Sequence, residues 1–235
     1  MIKDFKKEES KMEEQHPLKI LSSITDDVFT ETYLYTELMM RYNCAMLEIK
    51  TKLDVLNNQL SLEYDCNPFE SISCRLKSPK SIIEKLKRKG YPLTVVSIEE
   101  NLNDVAGIRV ICSFPDDIYN LVDRLCSQDD INLIERKDYI KNPKSNGYRS
   151  LHLILEIPIF LLNEKKLMRV EVQFRTIAMD FWASLEHKVR YKKEIAEKND
   201  AEISRELKQC ADEISALDIR MQDIRRKINF YKDKM

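Results

Sequence analysis

The sequence predicts an α+β fold: a mixed β-sheet of about four to five strands flanked by helices, with a long helix near each end of the chain. Near both ends, apolar residues recur at steps of three and four, which is the period of an amphipathic helix. In the middle of the chain, apolar runs and alternating polar and apolar residues are typical of strands. The 235 residues are enough for one domain of ordinary size with helical extensions.

The chain is predicted to divide into three segments. Residues 1–25 form a polar extension, residues 26–196 form the main domain, and residues 197–235 form an amphipathic helix suited to oligomerisation. The N-terminus is too charged for a signal peptide, and no apolar run approaches the roughly 18 residues of a membrane span. The six scattered cysteines are typical of small core residues in a reducing compartment. We therefore expect a cytoplasmic protein with no membrane partner.

Charge and glycine content exclude several kinds of binding site. The 39 Lys and Arg residues balance 40 Asp and Glu residues, so the net charge is -1; DNA binding is not expected and RNA binding is not indicated. With three glycines, the chain lacks the GxGxxG dinucleotide loop, the P-loop and the kinase glycine-rich loop. The cysteines form no CxxC zinc pair. A phosphate site would therefore have to use side chains and helix ends.

Three helices are predicted before the sheet region. The first covers about residues 27–60, where apolar residues follow the helical period. The second begins after Ser78, an N-cap residue, and ends at Gly90, a C-terminal stop signal. A short third helix is predicted from Ser97 and Glu100, which have the spacing of a capping box.

The sheet region and the C-terminal helices follow. The predicted strands cover residues 107–114, about 131–140, 149–157 and 168–175. A helix over about 116–127 separates the first two strands, and two helices over about 177–196 and 201–231 close the chain.

The last predicted helix has a heptad pattern over about four heptads. Its apolar residues follow alternating steps of four and three: Ile203, Leu207, Cys210, Ile214, Leu217, Met221, Ile224, Ile228 and Tyr231. Two interpretations remain open. The stripe packs on the core or the first helix of its own chain, or it packs on another subunit.

A basic cluster precedes and enters the second helix. Ser81, Lys85 and Arg88 share one helix face, and Lys77 stands just before the helix N-terminus. Free N–H groups and the positive end of the helix dipole would add to these cations. The pattern indicates an anion site suited to a polyphosphate, although a solvated basic helix face would have the same residues.

A second cluster surrounds the first predicted strand. Asp104 precedes the strand and suits a metal-binding carboxylate at a sheet end, and Gly107 allows close backbone approach. Arg109 carries a flat guanidinium that can stack on a nucleobase. An ordinary strand with a flanking salt bridge is the alternative.

Two further clusters lie on the later strands. Tyr148 and His152 are four residues apart and are predicted to share a strand face, where an exposed tyrosine could stack on a base. The alternative is a hairpin turn with a half-buried tyrosine. Glu171, Gln173 and Arg175 alternate with apolar residues, and a polar strand face is costly unless it lines a site. Glu171 is therefore a candidate metal ligand or general base.

Four segments together resemble the RelA/SpoT-type alarmone synthetase domain, most closely its small single-domain form. They are RLKSPKSI, DVAGIRVICSF, GYRSLH and VEVQFRTIAMDFWASLEHK, and the resemblance covers roughly residues 35–195. It implies a nucleotidyltransferase-like synthetase fold and a GTP pyrophosphokinase activity. In the implied reaction, which depends on Mg²⁺, the β,γ-pyrophosphate of ATP is transferred to the ribose 3′-hydroxyl of GDP or GTP. AMP is released and guanosine tetra- or pentaphosphate is formed.

The resemblance also implies a role for each motif residue. Arg75 and Arg109 would sandwich the adenine of ATP. The residues implied to hold its phosphates are Lys77, Ser81, Lys85 and Arg88. Asp104 and Glu171 would bind Mg²⁺, and Glu171 would activate the 3′-hydroxyl. Tyr148 would stack on guanine. The residues implied to position the acceptor nucleotide are Lys144, His152, Gln173 and Asp180.

The resemblance carries expectations about assembly and range of activity. Small relatives form homotetramers through their terminal helices, so a homotetramer is expected. The chain lacks the His-Asp motif of the family's hydrolase domain, so a synthetase without hydrolase activity is expected. Asp180 stands where close relatives tend to have Asn, and Ser71 stands where some tetrameric relatives have an aromatic residue near an alarmone cleft. The alternatives are a catalytically silent nucleotide-binding regulator and a relative that acts on an adenine nucleotide or tRNA.

Overall fold

The centre of the fold is a mixed five-stranded sheet that packs against helices. A computed structural model describes residues 17–64, 67, 69–191, 200–232 and 234. The described residues form these elements: α1 Pro17–Tyr64, β1 Phe69–Leu76, α2 Pro79–Lys89, α3 Val95–Asn101, β2 Ala106–Cys112, α4 Pro115–Cys126, β3 Asn132–Asp138, β4 Leu151–Phe160, β5 Lys165–Thr176, α5 Ile177–Tyr191 and α6 Asp200–Lys232. The predicted α+β class, with long helices at both ends, is confirmed.

The strands follow the order β1-β2-β5-β4-β3, and within the described sheet β2 and β5 form the parallel pair. The neighbouring pairs are antiparallel. The register aligns Arg109 of β2 with Gln173 of β5, and Gln173 with His152 of β4. Residues directly opposite each other share a sheet face. The predicted polar residues of three strands therefore come together on one face.

The opposite face of the sheet is the hydrophobic core. Alternate residues of the central strands, including Val110, Leu153 and Val172, are fully buried there. Helix α1 covers this face with a stripe that includes Ile49 and Leu53, because its apolar residues follow the helical period. Full burial of each such side chain stabilises the fold by roughly 1.5–3 kcal/mol. This packing leaves the polar face of the sheet free to form a site.

Several predicted boundaries are confirmed and others are corrected. Ser78 caps α2 by accepting from the backbone N–H of Ser81 at 3.3 Å, and Gly90 ends that helix with φ 72°. The capping-box prediction for α3 was wrong, because Thr94 is the N-cap and accepts from the N–H of Ser97 at 3.2 Å. Ser97 lies three residues inside the cap, where its own backbone N–H is the group that needs a partner.

Strand β1 was not predicted, and β4 begins later than expected. The edge strand Phe69–Leu76 is mostly exposed, and the alternation of Ile72, Cys74 and Leu76 with polar residues is the short signal that could have identified it. Strand β4 begins at Leu151, so Tyr148 and Arg149 lie in the preceding loop rather than on a strand face. The segment 1–16 and the predicted end of α5 at 192–196 lie outside the described residues.

Helix α6 packs on the domain through a mainly polar face. Thr176 donates to the buried Asp218 at 2.6 Å, and the backbone N–H of Asp116 donates to Gln222 at 2.8 Å. The heptad stripe instead faces outward in its C-terminal half, where Leu217 is 59% and Met221 50% exposed. For this half, packing of the stripe on the chain's own core was therefore wrong. Among the described helices, none is both long and apolar enough to cross a bilayer.

Candidate active site

The candidate active site lies on the polar face of the sheet, beside the N-terminus of α2. Gly107 of β2 stands between Arg75 of β1 and Glu171 of β5 in the register. The next row contains Arg109, Gln173 and His152. A strand pairing thus assembles residues that are about 100 positions apart in the chain.

Asp104 is held between two lysines at one end of this face. Its Oδ2 atom lies 2.7 Å from the Nζ atoms of both Lys77 and Lys85. Lys77 is fixed just before α2 by a 2.8 Å hydrogen bond from its backbone N–H to the carbonyl of Val105. Burial raises the pKa of Asp104, but the hydrogen bonds from the two lysines outweigh it, so the pKa lies below its usual value. The carboxylate is therefore ionised at neutral pH.

The other Asp104 oxygen indicates room for a further cation. Its Oδ1 atom is buried and has no hydrogen-bond partner among the described residues. A buried carboxylate oxygen without a partner is costly, and a bound cation would satisfy it. The described residues contain no group of three or more metal-ligating side chains, but Mg²⁺ commonly uses one or two carboxylates and completes its shell with substrate phosphates. Asp104, with Glu171 nearby, fits that pattern.

The remaining predicted phosphate and adenine residues lie on α2, β1 and β2. Ser81 lies in the first turn of α2, where its hydroxyl is 2.9 Å from that of Ser78. Arg88 is exposed two turns further along the same helix. Arg75 and Arg109 are exposed on adjacent strands, and Arg109 lies 3.7 Å from Asp180. The structure thus brings the lysines together with Asp104 and leaves three cationic side chains at the rim.

Glu171 occupies the middle of the polar face. His152 Nδ1 lies 3.2 Å from its Oε1 atom, and Gln173 donates to Oε2 at 2.9 Å. Burial raises the pKa of Glu171, and the Asp104 carboxylate is close enough to raise it further. The hydrogen bonds from His152 and Gln173 prevail, and the pKa of Glu171 lies below its usual value. The group is therefore a carboxylate, able to accept a proton from a substrate hydroxyl.

A chain of hydrogen bonds runs from Glu171 to Asp180. His152 Nε2 lies 2.9 Å from the hydroxyl of Tyr148, and this hydroxyl accepts a hydrogen bond from Arg175 at 2.9 Å. Arg175 in turn donates to Asp180 at 2.8 Å. Both ring nitrogens of His152 are thus engaged, which holds its ring in one orientation. The chain links the central carboxylate to an aromatic ring at the edge of the site.

Lys144 packs against aromatic rings in the loop that precedes β4. Its Nζ atom lies 4.8 Å from the ring centroid of Tyr148 and 4.7 Å from that of Tyr139. These distances are typical of cation–π contacts. Lys144, Tyr148 and His152 are therefore neighbours, as the sequence predicted, although Tyr148 reaches His152 from a loop.

Two residues of the cluster had no predicted role. Arg175 is 6% exposed and bridges Tyr148 to Asp180; its alternation with Glu171 and Gln173 was the signal that could have identified it. Tyr139 stacks edge-on against His152 with ring centroids 5.4 Å apart. It follows β3, far from the other motifs, and nothing in the sequence singled it out.

Known proteins resemble this chain in sequence. A family model described as a region found in RelA/SpoT proteins matches residues 74–196. GTP pyrophosphokinase YwaC of Bacillus subtilis (strain 168) is 41% identical over 206 residues, which cover 87% of this chain and 96% of that protein.

Two solved structures have the same fold. Small alarmone synthetase 2 from Bacillus subtilis aligns with a TM-score of 0.73 and 40% identity, over 82% of this chain and 98% of that chain. Small alarmone synthetase 1 from the same organism, bound to its product pppGpp, aligns with a TM-score of 0.73 and 34% identity, over 83% and 98%. The family match covers more than half of this chain, which therefore belongs to the RelA/SpoT family, with small alarmone synthetases among its relatives.

Proposed function

We propose that this chain is a GTP pyrophosphokinase that makes guanosine tetra- and pentaphosphate alarmones. The 3′-oxygen of GDP or GTP attacks the β-phosphorus of ATP, the bond from that phosphorus to the α,β-bridging oxygen breaks, and AMP leaves. The relation to GTP pyrophosphokinases supports the reaction. The observation that carries it is Asp104, paired with two lysines at the α2 N-terminus and close to the Glu171 carboxylate. Phosphoryl-type transfer needs such charge neutralisation and alignment rather than covalent chemistry.

The ATP half of the proposed site uses the cations around α2. Arg75 and Arg109 sandwich the adenine between flat guanidinium groups. The residues proposed to hold the phosphates are Lys77, Ser81, Lys85 and Arg88. Lys77 and Lys85 lie 2.7 Å from Asp104, and we expect them to neutralise negative charge as the pyrophosphate is transferred.

The acceptor half uses the Tyr148 cluster. Tyr148 stacks on guanine. Lys144, His152, Gln173 and Asp180 are proposed to position the rest of the nucleotide. Glu171 accepts the proton from the 3′-hydroxyl, and His152 and Gln173 orient the carboxylate for that transfer. The low pKa of Glu171 keeps it deprotonated and ready to accept.

Asp104 and Glu171 are proposed to hold Mg²⁺ together with the ATP phosphates. The buried, unpartnered Oδ1 atom of Asp104 supports this assignment. When bound, Mg²⁺ supplies further neutralisation of the phosphate charge.

A tetramer is the proposed assembly, and a cytoplasmic location is proposed with it. The outward-facing stripe on α6, which includes Leu217, Met221 and Ile224, supports an intersubunit contact because exposed apolar rows mark interaction surfaces. The described cysteines are free thiols, which suits a reducing compartment. Met221→Glu with Ile224→Glu is expected to reduce the mass in sedimentation equilibrium while the circular dichroism spectrum is unchanged; an unchanged mass would contradict the contact.

A transfer assay with separate acceptors tests the activity. The protein is incubated with Mg²⁺, ATP labelled in the γ-phosphate, and GMP, GDP, GTP, ADP or tRNA, and the products are separated by chromatography. We expect a labelled guanosine 3′-pyrophosphate with one AMP per product, and no breakdown of added alarmone. Transfer to ADP or tRNA alone would replace the guanine assignment, and binding without transfer to any acceptor would indicate a regulator.

A further inference from the structure

The loop that carries Tyr148 rests directly on helix α6. This β3–β4 loop spans residues 139–150, between the two strands. Gly147 has φ 89°, and a Cβ atom built at this position would lie 2.6 Å from the Cβ of Ala211 and 3.3 Å from the Cα of Lys208. The loop backbone and the helix are therefore in contact, with no space for a side chain between them.

Arg149 makes three hydrogen bonds, one within the loop and two to the helix. Its Nη1 atom donates to the carbonyl of Gly147 at 3.1 Å and to the carbonyl of Ala211 at 3.2 Å, and its Nη2 atom donates to Asp212 at 2.9 Å. The Arg149 side chain is 15% exposed. A charged group held at this depth with several acceptors restrains the backbone that it bridges.

The part of α6 beneath the loop is itself held in place. Trp182 of α5 donates from its indole N–H to the carbonyl of Leu207 at 2.9 Å, one turn before Ala211. Asp218, two turns after Ala211, accepts from Thr176 at the end of β5 at 2.6 Å. Helix α6 is therefore held on the domain by hydrogen bonds on both sides of Ala211, and it can keep the loop in place.

From these contacts we propose that Arg149 is a positioning residue for the acceptor nucleotide. Arg149 acts through the loop backbone: it seats Gly147 on α6 and so orients the neighbouring Tyr148 ring before a base arrives. Ordering a loop on binding weakens affinity, so a preoriented ring binds its base more tightly. The inference rests on the proposed function for its assignment of Tyr148 to guanine.

The proposal predicts an effect on one nucleotide alone. The residues proposed for ATP stand on or directly beside α2, β1 and β2. The α6 contacts described above are with α4, α5, the end of β5 and the β3–β4 loop. Loosening the loop should therefore weaken guanine nucleotide binding and leave ATP binding unchanged.

The test measures equilibrium binding of GDP and of a nonhydrolysable ATP analogue by calorimetry. Arg149→Lys retains the charge but lacks the planar fork whose two nitrogens reach the loop and the helix together, and we expect the Kd for GDP to rise about tenfold while the Kd for the ATP analogue changes less than about twofold. Arg225→Lys is the matched control, because Arg225 ties α6 to Asp117 of α4 at 2.8 Å, away from the loop. It should leave the Kd for GDP unchanged.

A second pair of variants disturbs the contact without touching Arg149. Ala211→Leu places a larger side chain under Gly147 and should also raise the Kd for GDP alone, whereas Ala216→Leu, at an exposed position on the same helix, should not. The proposal would be overturned if the Kd for GDP and the Kd for the ATP analogue rose equally. It would also be overturned if the Kd for GDP were unchanged in both Arg149→Lys and Ala211→Leu. Because binding is measured directly, a wild-type protein that binds both nucleotides but transfers no pyrophosphate would refute the proposed function and leave this inference intact.

Discussion

The two nucleotide halves of the proposed site differ in how they are built. In the ATP half, cations project from α2, β1 and β2 or, like Lys77, from a position directly beside them, and Asp104 is already paired with Lys77 and Lys85. In the acceptor half, Tyr148 projects from a loop, and its orientation depends on bonds to His152 and Arg175. A triphosphate presents diffuse charge and can be held by several cations in more than one arrangement. A flat base requires one orientation of one ring, and a network of hydrogen bonds supplies it.

The difference also explains how the two halves meet. Glu171 receives hydrogen bonds from His152 and Gln173 on the acceptor side. On the ATP side, the Asp104 charge acts to raise the pKa of Glu171. The carboxylate at the junction is therefore expected to matter for chemistry more than for the binding of either nucleotide.

The largest expected effect is on turnover, when the carboxylate at the junction is replaced. Glu171→Gln keeps the shape of the side chain but removes the proton acceptor, and we expect turnover to fall by about 10³-fold with the Kd of ATP and GDP little changed. Single-turnover rates and calorimetry provide the two readings. Glu156→Gln, on the neighbouring strand, is the control and should remain active. Loss of ATP binding in Glu171→Gln would place the residue in the ATP half.

Removal of the Asp104 charge should have the second largest effect on turnover. Asp104→Asn is expected to lower turnover roughly 100-fold and to raise the Mg²⁺ concentration needed for half-maximal rate, because one proposed ligand loses its charge. A Mg²⁺ titration of the rate measures this, and a chelator should abolish the wild-type rate. Asp130→Asn, whose carboxylate pairs with the remote Lys52, is the control. An unchanged Mg²⁺ requirement in Asp104→Asn would contradict the ligand assignment.

Removing the Tyr148 ring should affect the acceptor half alone. Tyr148→Ala is expected to raise the Kd for GDP about tenfold with little change for ATP, because a stacked base loses its platform. Tyr148→Phe keeps the platform but loses the hydroxyl that joins His152 and Arg175, and should have a smaller effect. Equal losses for both nucleotides in Tyr148→Ala would count against stacking on guanine.

The smallest expected effect is on stability in acid. The pKa of Glu171 is lowered in the folded protein, so its contribution to the free energy of unfolding is present above the ordinary glutamate pKa of about 4.3 and is lost as pH falls through the folded value. Urea unfolding at several pH values should show a stability difference between wild type and Glu171→Gln that shrinks in acid. A difference that grows as pH falls would mean that the pKa is raised instead.

Local sequence signals predicted the α2 part of the ATP half, because these residues lie in or beside one helix. Ser78 and Gly90 mark the ends of α2, and the helical period then puts Ser81 and Lys85 on one face. The pairing of both lysines with Asp104 could not be predicted in this way. It depends on β1 and β2 lying side by side, and the alternation of residues within β1 does not show which strand it pairs with.

For the acceptor half, the sequence predicted which residues take part but not how they are placed relative to one another. Tyr148 and His152 were assigned to one strand face, whereas the chain before Leu151 is a loop and the contact is made by a hydrogen bond from outside the strand. Arg175 and Tyr139 reach the cluster only through the sheet register and the loop path. Interactions between residues far apart in sequence decide both the register and the loop path, and the local hydrophobic pattern does not predict such interactions.

By itself, the sequence determined the fold class, the caps of α2, the absence of a glycine phosphate loop and the polar residues of β5. These follow from periodicity and from the preferences of single residues, which act over a few positions. The tertiary structure alone decided that Asp104 lies between two lysines, that Arg149 seats the Tyr148 loop on α6, and that the heptad stripe of α6 faces outward in its C-terminal half. Each depends on how separate elements pack, because burial and charge pairing are properties of the assembled sheet and helices.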